Sequence, residues 1–354
     1  MAKGKANHCA AFQKTLKGLA VQAYWITHVP DLFYLSGFGA EGCWGLIGEK
    51  SAAMLVPALA SDQAKTLAKG FNILTSTRAI NAYQTIVDFA LAHGWKTIGY
   101  DPFHTLEGYI NGLRKVSGKQ IKWVPKPAAL TPLRIVKDKK EVQSLRKAGN
   151  LVHRGFEHLK KIARAGMREC DLAAEFESHI RKNGATKTSF DSIVAFGENA
   201  AYPHYLTGDK VLRKNDMVLC DIGALVEGYC SDLTRTFFFG SISPLGRKVY
   251  DTVERAQRLA IEAVKPGVQT GHIDRIAREE IERAGYGPRF IHSTGHGVGV
   301  EIHEAPTVGP TSTEILESGM IITVEPGIYL QGWGGVRIED TLLVTKDGYE
   351  ILTK

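Results

Sequence analysis

Short apolar and β-branched runs alternate with helical spacing in the first part of the chain, up to about residue 130. Residues 83–93 carry apolar side chains at helical spacing and are followed by Gly94, a residue that commonly ends a helix. Five runs predict strands: 45–47, 53–56, 72–75, 97–100 and 121–124. The alternation predicts an α/β unit.

A long helix follows this unit. Prolines between residues 125 and 132 interrupt regular structure, and Asp138 with Glu141 three residues later forms the capping-box pattern of a helix start. Apolar residues then recur at spacings of three and four over residues 142–159. We therefore predict a domain boundary near Thr131, with domains over residues 1–131 and 132–354.

The second part of the chain contains an internal repeat. The tripeptide at residues 166–168 corresponds to that at 267–269, and the apolar positions that follow recur at the same offset of 101 residues. Each copy continues into an apolar strand that contains an acid and then into a further strand with a second acid. This pattern predicts a duplicated unit with a site between its two copies.

Composition narrows the function classes. The 354 residues are 44% hydrophobic and 23% charged, which is typical of a folded globular protein and not of a disordered chain. The formal charge of +7 is scattered, so we expect no nucleic-acid partner. The five cysteines are widely spaced and contain no C-x-x-C pair, and no segment is apolar enough to span a bilayer. We therefore predict a cytoplasmic protein without a membrane association.

Asp221 and Asp232 flank a turn-rich stretch that predicts a β-hairpin. With the hairpin tip at Val226 and Glu227, the two aspartates would lie directly opposite each other, close enough to share a cation. They could instead be solvated acids at a strand edge. An ionised aspartate in the apolar run around Asp221 is costly to bury without a partner, which favours a cation ligand.

Glu325 and Glu339 lie in similar apolar strands, and His296 lies in the glycine-rich segment Gly-His-Gly-Val-Gly. A lone histidine is more often structural, and no dinucleotide-binding helix follows these glycines. Four carboxylates and one imidazole suit Mn²⁺, Co²⁺, Fe²⁺ or Zn²⁺. Two ions sharing bridging carboxylates balance four negative charges better than one ion does, and such a pair typically supports hydrolysis.

The motifs around these five residues resemble those of the pita-bread metallopeptidases, the family of methionine aminopeptidase, prolidase and aminopeptidase P. Asp232 lies in Ser-Asp-Leu-Thr-Arg-Thr, His296 in His-Ser-Thr-Gly-His-Gly-Val-Gly, Glu325 in Glu-Pro-Gly and Glu339 in Val-Arg-Ile-Glu-Asp. The resemblance runs from about Arg134 to the end. The earlier part resembles the creatinase-type N-terminal domain through Tyr-Leu-Ser-Gly-Phe at residues 34–38, which argues against methionine aminopeptidase. The implied fold class is α/β (α+β). The implied domain order is a creatinase-type α/β domain followed by a duplicated pita-bread domain.

The resemblance implies that Asp221 binds one metal, that His296 and Glu325 bind the other, and that Asp232 and Glu339 bridge both. A hydroxide between two divalent ions, Mn²⁺ first among the candidates, would then attack the peptide bond. Glu325 would also carry a proton to the leaving nitrogen. Three histidines match positions that bind substrate and stabilise the tetrahedral intermediate, namely His204, His292 and His303. Arg337 is expected to orient carboxylates or to contact substrate.

Substrate length depends on position 307. Dipeptidases of this family typically carry an arginine there, which can pair with the carboxylate of a dipeptide, and this chain has Thr307. We therefore expect an aminopeptidase that cleaves Xaa-Pro at peptide N-termini, with an Xaa-Pro dipeptidase as the alternative. A non-catalytic peptide-binding module and a creatinase-like amidine hydrolase fit less well, because neither needs all five ligands. Family members with this N-terminal domain commonly form homodimers, which we expect here.

Overall fold

The computed structural model describes residues 8–77 and 81–354, which separate into two compact units that meet in sequence between Arg134 and Ile135. The first unit contains a six-stranded mixed sheet of order β4-β3-β2-β1-β5-β6. Its strands are β1 Ala23–Ile26, β2 Trp44–Gly48, β3 Ala52–Pro57, β4 Asn72–Ser76, β5 Thr97–Tyr100 and β6 Lys122–Pro125. Its helices are α1 His8–Thr15, α2 Val29–Ser36, α3 Ser61–Leu67, α4 Ala82–Ala92, α5 Glu107–Ser117 and α6 Thr131–Arg134.

All five predicted strands and the predicted helix are confirmed in this unit. The strand β1 was not predicted from the sequence; it pairs with β2 on one side and with β5 on the other. Its four residues are buried on both faces, so the strand lacks the alternation by which a half-buried strand is recognised.

The second unit contains four long helices, α7 Lys139–Ile162, α8 Glu169–Lys182, α9 Pro244–Glu262 and α10 Thr270–Arg283. The strands are β7 Lys187–Thr188, β8 Ile193–Phe196, β9 Met217–Ile222, β10 Ala224–Val226, β11 Tyr229–Cys230, β12 Leu233–Phe238, β13 Gly295–Gly297, β14 Glu304–Val308, β15 Ile321–Val324, β16 Gly327–Leu330, β17 Gly334–Arg337, β18 Asp340–Val344 and β19 Tyr349–Ile351. The sheets have the orders β12-β9-β8, β11-β10-β7, β14-β13-β15-β18-β19 and β16-β17.

The start of α7 has the predicted capping box. The Asp138 carboxylate accepts hydrogen bonds from the backbone N–H groups of Lys140 and Glu141, and the Glu141 carboxylate accepts one from the Asp138 N–H. The apolar stripe of the helix then packs into the core.

The internal repeat is visible in the hydrogen bonds. The bounds of α8 and α10 differ by 101 residues at both ends. The N–H of Gly166 donates to the carbonyl of Leu212 in the first copy, and the N–H of Gly267 donates to that of Leu316 in the second. Each copy has its own apolar core. The duplication therefore places one strand pair from each copy in corresponding positions.

Among the described helices, none has both the length and the apolar character that crossing a membrane requires.

Candidate active site

The two aspartates of the first copy lie on one hairpin but are not directly opposite each other. In the ladder between β9 and β12, Asp221 pairs with Thr234, and Asp232 lies just before β12 begins. The predicted direct opposition of Asp221 and Asp232 is wrong by two residues. Because side chains alternate with a period of two, this shift leaves both aspartates on the same face of the hairpin.

The turn explains the shift. Val226 pairs with Tyr229, so the two turn residues are Glu227 and Gly228, and not the predicted pair Val226 and Glu227. Glu227 has a φ of 54° and Gly228 a φ of 85°, as a type I′ turn requires at both central positions. A β-branched valine tolerates positive φ poorly, so Gly228 was the signal for the correct register.

Glu325 and Glu339 come from the second copy. Val324 pairs with Asp340 at the end of the β15–β18 ladder, so Glu325 and Glu339 are the next residues in the same register. The Glu339 N–H donates to the carbonyl of Thr234, which lies opposite Asp221 in the first copy. This bond brings the acids of the two copies together.

Two of the acids have one oxygen fixed by the chain and one without a donor. Asp221 Oδ2 accepts a hydrogen bond of 2.6 Å from Arg337, and Glu339 Oε2 accepts one of 2.8 Å from the Thr234 hydroxyl. The other oxygens, Asp221 Oδ1 and Glu339 Oε1, are buried and have no hydrogen-bond partner in the described part of the chain. A buried carboxylate oxygen without a donor is costly, so each is suited to a cation.

His296 presents its free nitrogen to the same acids. Its Nδ1 lies 3.0 Å from the Gly297 carbonyl, which can only accept, so Nδ1 carries the proton and Nε2 the lone pair. Nε2 lies 3.5 Å from both Asp232 Oδ2 and Glu325 Oε1. Burial lowers the pKa of His296 to about 4, which keeps the imidazole neutral. This is the tautomer that a metal-binding histidine needs.

With all four acids ionised, the cluster would carry more negative charge than the nearby Arg337 guanidinium neutralises. Burial and the neighbouring carboxylates raise the pKa of both Asp232 and Glu339 well above the usual range. Burial raises the pKa of Glu325 to about 8, although the Arg337 guanidinium opposes this rise. Ligand atoms of Asp232, His296 and Glu339 lie within 4.8 Å of one another. This oxygen-rich set with one imidazole fits divalent ions of the Mn²⁺, Fe²⁺, Co²⁺ and Zn²⁺ series.

A cavity of about 690 Å³ opens onto the cluster. His204, His292 and His303 all line it, as does Thr307. The ring of His303 lies edge-on to that of His296 with centroids 4.4 Å apart, and burial lowers the pKa of His303. His204 is exposed. The structure thus brings the three predicted histidines into one cavity with Asp221, Asp232 and Glu325.

His292 differs from the other two in its hydrogen bonds. Its Nδ1 lies 2.8 Å from the Ser293 carbonyl and must donate, and its Nε2 accepts from the Tyr329 hydroxyl at 2.8 Å. That hydroxyl accepts in turn from Arg337 at 2.8 Å. Burial lowers the pKa of His292 to about 4. Both ring nitrogens are therefore engaged within the chain.

Several residues that support the site were missed by the sequence analysis. Thr234 and Tyr329 connect Arg337 to the acids and to His292. Asp274 on α10 accepts hydrogen bonds from the N–H and hydroxyl of Thr294, two residues before His296. Each of these residues is a polar residue in an otherwise apolar strand or helix face, which could have indicated a buried hydrogen bond. Its partner could not be identified from the sequence, because the partner is distant along the chain.

Comparison with known proteins decides the family. Residues 143–346 match the profile described as "Metallopeptidase family M24", and residues 9–136 match "Creatinase/Prolidase N-terminal domain". The chain belongs to metallopeptidase family M24. The predicted resemblance and fold class are confirmed, and the chain is a dinuclear metallopeptidase with a creatinase-type N-terminal domain.

Similar proteins include both substrate classes that the sequence analysis considered. An Xaa-Pro dipeptidase of Pyrococcus horikoshii is 37% identical over 341 residues, which cover 95% of this chain and 93% of that protein. The structure of an Xaa-Pro dipeptidase from Bacillus anthracis matches with a TM-score of 0.93 and 33% identity, over 98% of this chain and 97% of that one. The structure of an X-Pro aminopeptidase from Thermotoga maritima matches with a TM-score of 0.89 and 31% identity, over 96% and 97%.

Proposed function

We propose that this metallopeptidase hydrolyses the bond between an N-terminal residue and a following proline. The observation that carries the proposal is a pair of buried oxygens, one on Asp221 and one on Glu339, that accept no hydrogen bond from the described residues and lie near the neutral His296. We propose five metal ligands in all: Asp221, Asp232, His296, Glu325 and Glu339. The printed names of the relatives support the Xaa-Pro specificity.

When bound, two divalent ions supply a water of lowered pKa and a Lewis acid for the scissile carbonyl. The side chains around them have separate tasks. Arg337 and Thr234 each hold one carboxylate oxygen, so the other oxygen of Asp221 and of Glu339 would be available to bind a metal ion. Such outer hydrogen bonds orient metal ligands. Glu325 is proposed to take a proton from the attacking water and to deliver it to the proline nitrogen as the C–N bond breaks.

The histidines are proposed to contact the substrate. His204 and His303 line the cavity, and we place them where a ring N–H can stabilise the tetrahedral oxygen or the leaving nitrogen. His292 has both nitrogens engaged, so we propose that it contacts the substrate through its ring edge, with Tyr329 fixing its orientation.

Substrate length is proposed from the charge of the cavity wall. Among the described residues that line the cavity, Arg337 is the one lysine or arginine, and it bonds to Asp221, Tyr329 and Thr234. Thr307 is uncharged, so none of these described lining residues offers a spare lysine or arginine to the carboxylate of a dipeptide. This favours an aminopeptidase acting on longer peptides. An Xaa-Pro dipeptidase is the second candidate, because two of the relatives above carry that name.

Hydrolysis of Ala-Pro-Ala and Ala-Pro by the Mn²⁺-loaded enzyme tests both candidates, with Ala-Ala-Ala as the control without proline. We expect a kcat/KM for Ala-Pro-Ala at least about tenfold above that for Ala-Pro, since a dipeptide would bring an unpaired carboxylate into the cavity. A preference for Ala-Pro would support the dipeptidase. Cleavage of neither proline peptide by folded, metal-containing protein would refute the proposal and favour a peptide-binding module.

Two further expectations belong to the proposal, namely Mn²⁺ as the preferred metal and a homodimer as the assembly. Activity after reconstitution with Mn²⁺, Co²⁺, Fe²⁺ or Zn²⁺ tests the first. Light scattering of the purified enzyme tests the second.

A further inference from the structure

The segment that carries His204 has little regular structure of its own. It connects β8 to β9, and residues 202–210 contain neither a helix nor a strand. The His204 ring makes no hydrogen bond to the described part of the chain. The position of this ring at the cavity therefore depends on how the neighbouring backbone is held.

One buried carboxylate binds this segment at several points. Glu169, the first residue of α8, is fully buried. Its Oε1 accepts hydrogen bonds from the Phe196 N–H at 2.7 Å and from the Asn199 amide at 2.9 Å. Its Oε2 accepts from the Tyr205 hydroxyl at 2.8 Å and from the Gly208 N–H at 3.3 Å. The four donors lie on both sides of His204.

The nearest of these donors is adjacent to His204. Burial and the Glu169 carboxylate raise the pKa of Tyr205 to about 12, so its hydroxyl stays a donor. The Asn199 amide also donates to the Tyr205 oxygen at 2.8 Å, which closes a network of three side chains. The residues before and after Tyr205, His204 and Leu206, both line the cavity. The four hydrogen bonds to Glu169 thus attach the segment to the start of α8 at points before and after His204.

We propose that Glu169 is a positioning residue of the active site, which fixes His204 at the cavity by holding the segment of residues 196–208. The catalytic part of this inference rests on the proposed substrate role of His204. The inference that Glu169 holds the segment does not rest on the role of His204, and it can be measured separately.

The test compares Glu169→Gln and Tyr205→Phe with Asp171→Asn. Asp171 lies in the same helical turn, but its side chain is 40% exposed and pairs with Arg168. We expect Glu169→Gln to increase deuterium uptake in residues 196–208 and to lower kcat for Ala-Pro-Ala by roughly 10- to 100-fold with little change in KM, because a small displacement of a catalytic group is costly. Tyr205→Phe should act in the same direction but less, and Asp171→Asn should change neither quantity.

A double-mutant cycle with His204→Ala separates positioning from general destabilisation. If Glu169 acts through His204, the Glu169→Gln variant loses less activity on removal of His204 than the wild type does. Unchanged deuterium uptake, or effects that are fully additive, would overturn the proposal. Should Glu169→Gln fail to fold, Tyr205→Phe replaces it under the same criteria. A fully active His204→Ala enzyme would refute the substrate role of His204, and the deuterium uptake would then decide the role of Glu169 alone.

Discussion

The carboxylate cluster makes the stability of the metal-free protein depend on pH in a defined direction. Burial raises the pKa of Glu325 from 4.5 to about 8, so the folded state holds a proton that the unfolded state has already lost at neutral pH. At 1.36 kcal/mol per pKa unit, ionising this group in the folded state costs roughly 5 kcal/mol. Stability is therefore lost as the pH rises through the pKa of the folded state.

This loss of stability is best measured between pH 7 and pH 8.5. Over this range the proton on Glu325 dissociates, which reduces the free energy of unfolding by about 1 kcal/mol. Asp232 and Glu339, whose pKa values are also raised, act in the same direction. His292 and His296 have lowered pKa values and act in the opposite direction, but their effect lies mainly below the ordinary histidine pKa of 6.5.

Urea unfolding of chelator-treated protein at pH 7 and at pH 8.5 measures this loss. The matched variant is Glu325→Gln, which removes the titrating group while keeping its size. We expect the wild type to lose at least about 1 kcal/mol more than the variant across the window. Mn²⁺ at a hundred times its Kd should restore about 2.7 kcal/mol to the wild type at pH 8.5. Equal pH dependence in the two proteins would refute the assignment of a raised pKa to Glu325.

Three further changes test the site. Asp232→Asn should lower the metal content, measured by mass spectrometry, and should lower kcat at least about a hundredfold. The exposed control Asp251→Asn should retain both, and full activity of the Asp232→Asn variant would exclude Asp232 as a bridging ligand. Gly295→Ala would place a Cβ against the Thr323 carbonyl, so we expect a loss of roughly 1–3 kcal/mol in thermal unfolding, and an unchanged Tm would contradict this contact. Thr307→Arg should raise the preference for Ala-Pro over Ala-Pro-Ala roughly tenfold, and an unaltered ratio would remove position 307 from substrate selection.

The sequence predicted the elements of the fold where the pattern was local. Five of the six strands of the first unit, the capping box at Asp138 and the offset of 101 residues between the copies all follow from neighbouring residues. Four acids and one imidazole in specific motifs indicated the family. These features could be read because secondary structure, caps and motifs depend on short spacings along the chain.

Tertiary structure decided how these residues meet. The register of the Asp221 hairpin depended on the positive φ of Glu227 and Gly228, which the apolar pattern alone did not reveal. The Thr234 contacts with Glu339 and the Glu169 contacts with the His204 segment join residues far apart in sequence. No local periodicity encodes hydrogen bonds of this kind, because only the packing of the strands and helices brings their partners together. The sequence alone thus determined which chemical groups this metallopeptidase has, and the packing of its two copies determined which oxygens and nitrogens are held by the chain and which are left for a metal or a substrate.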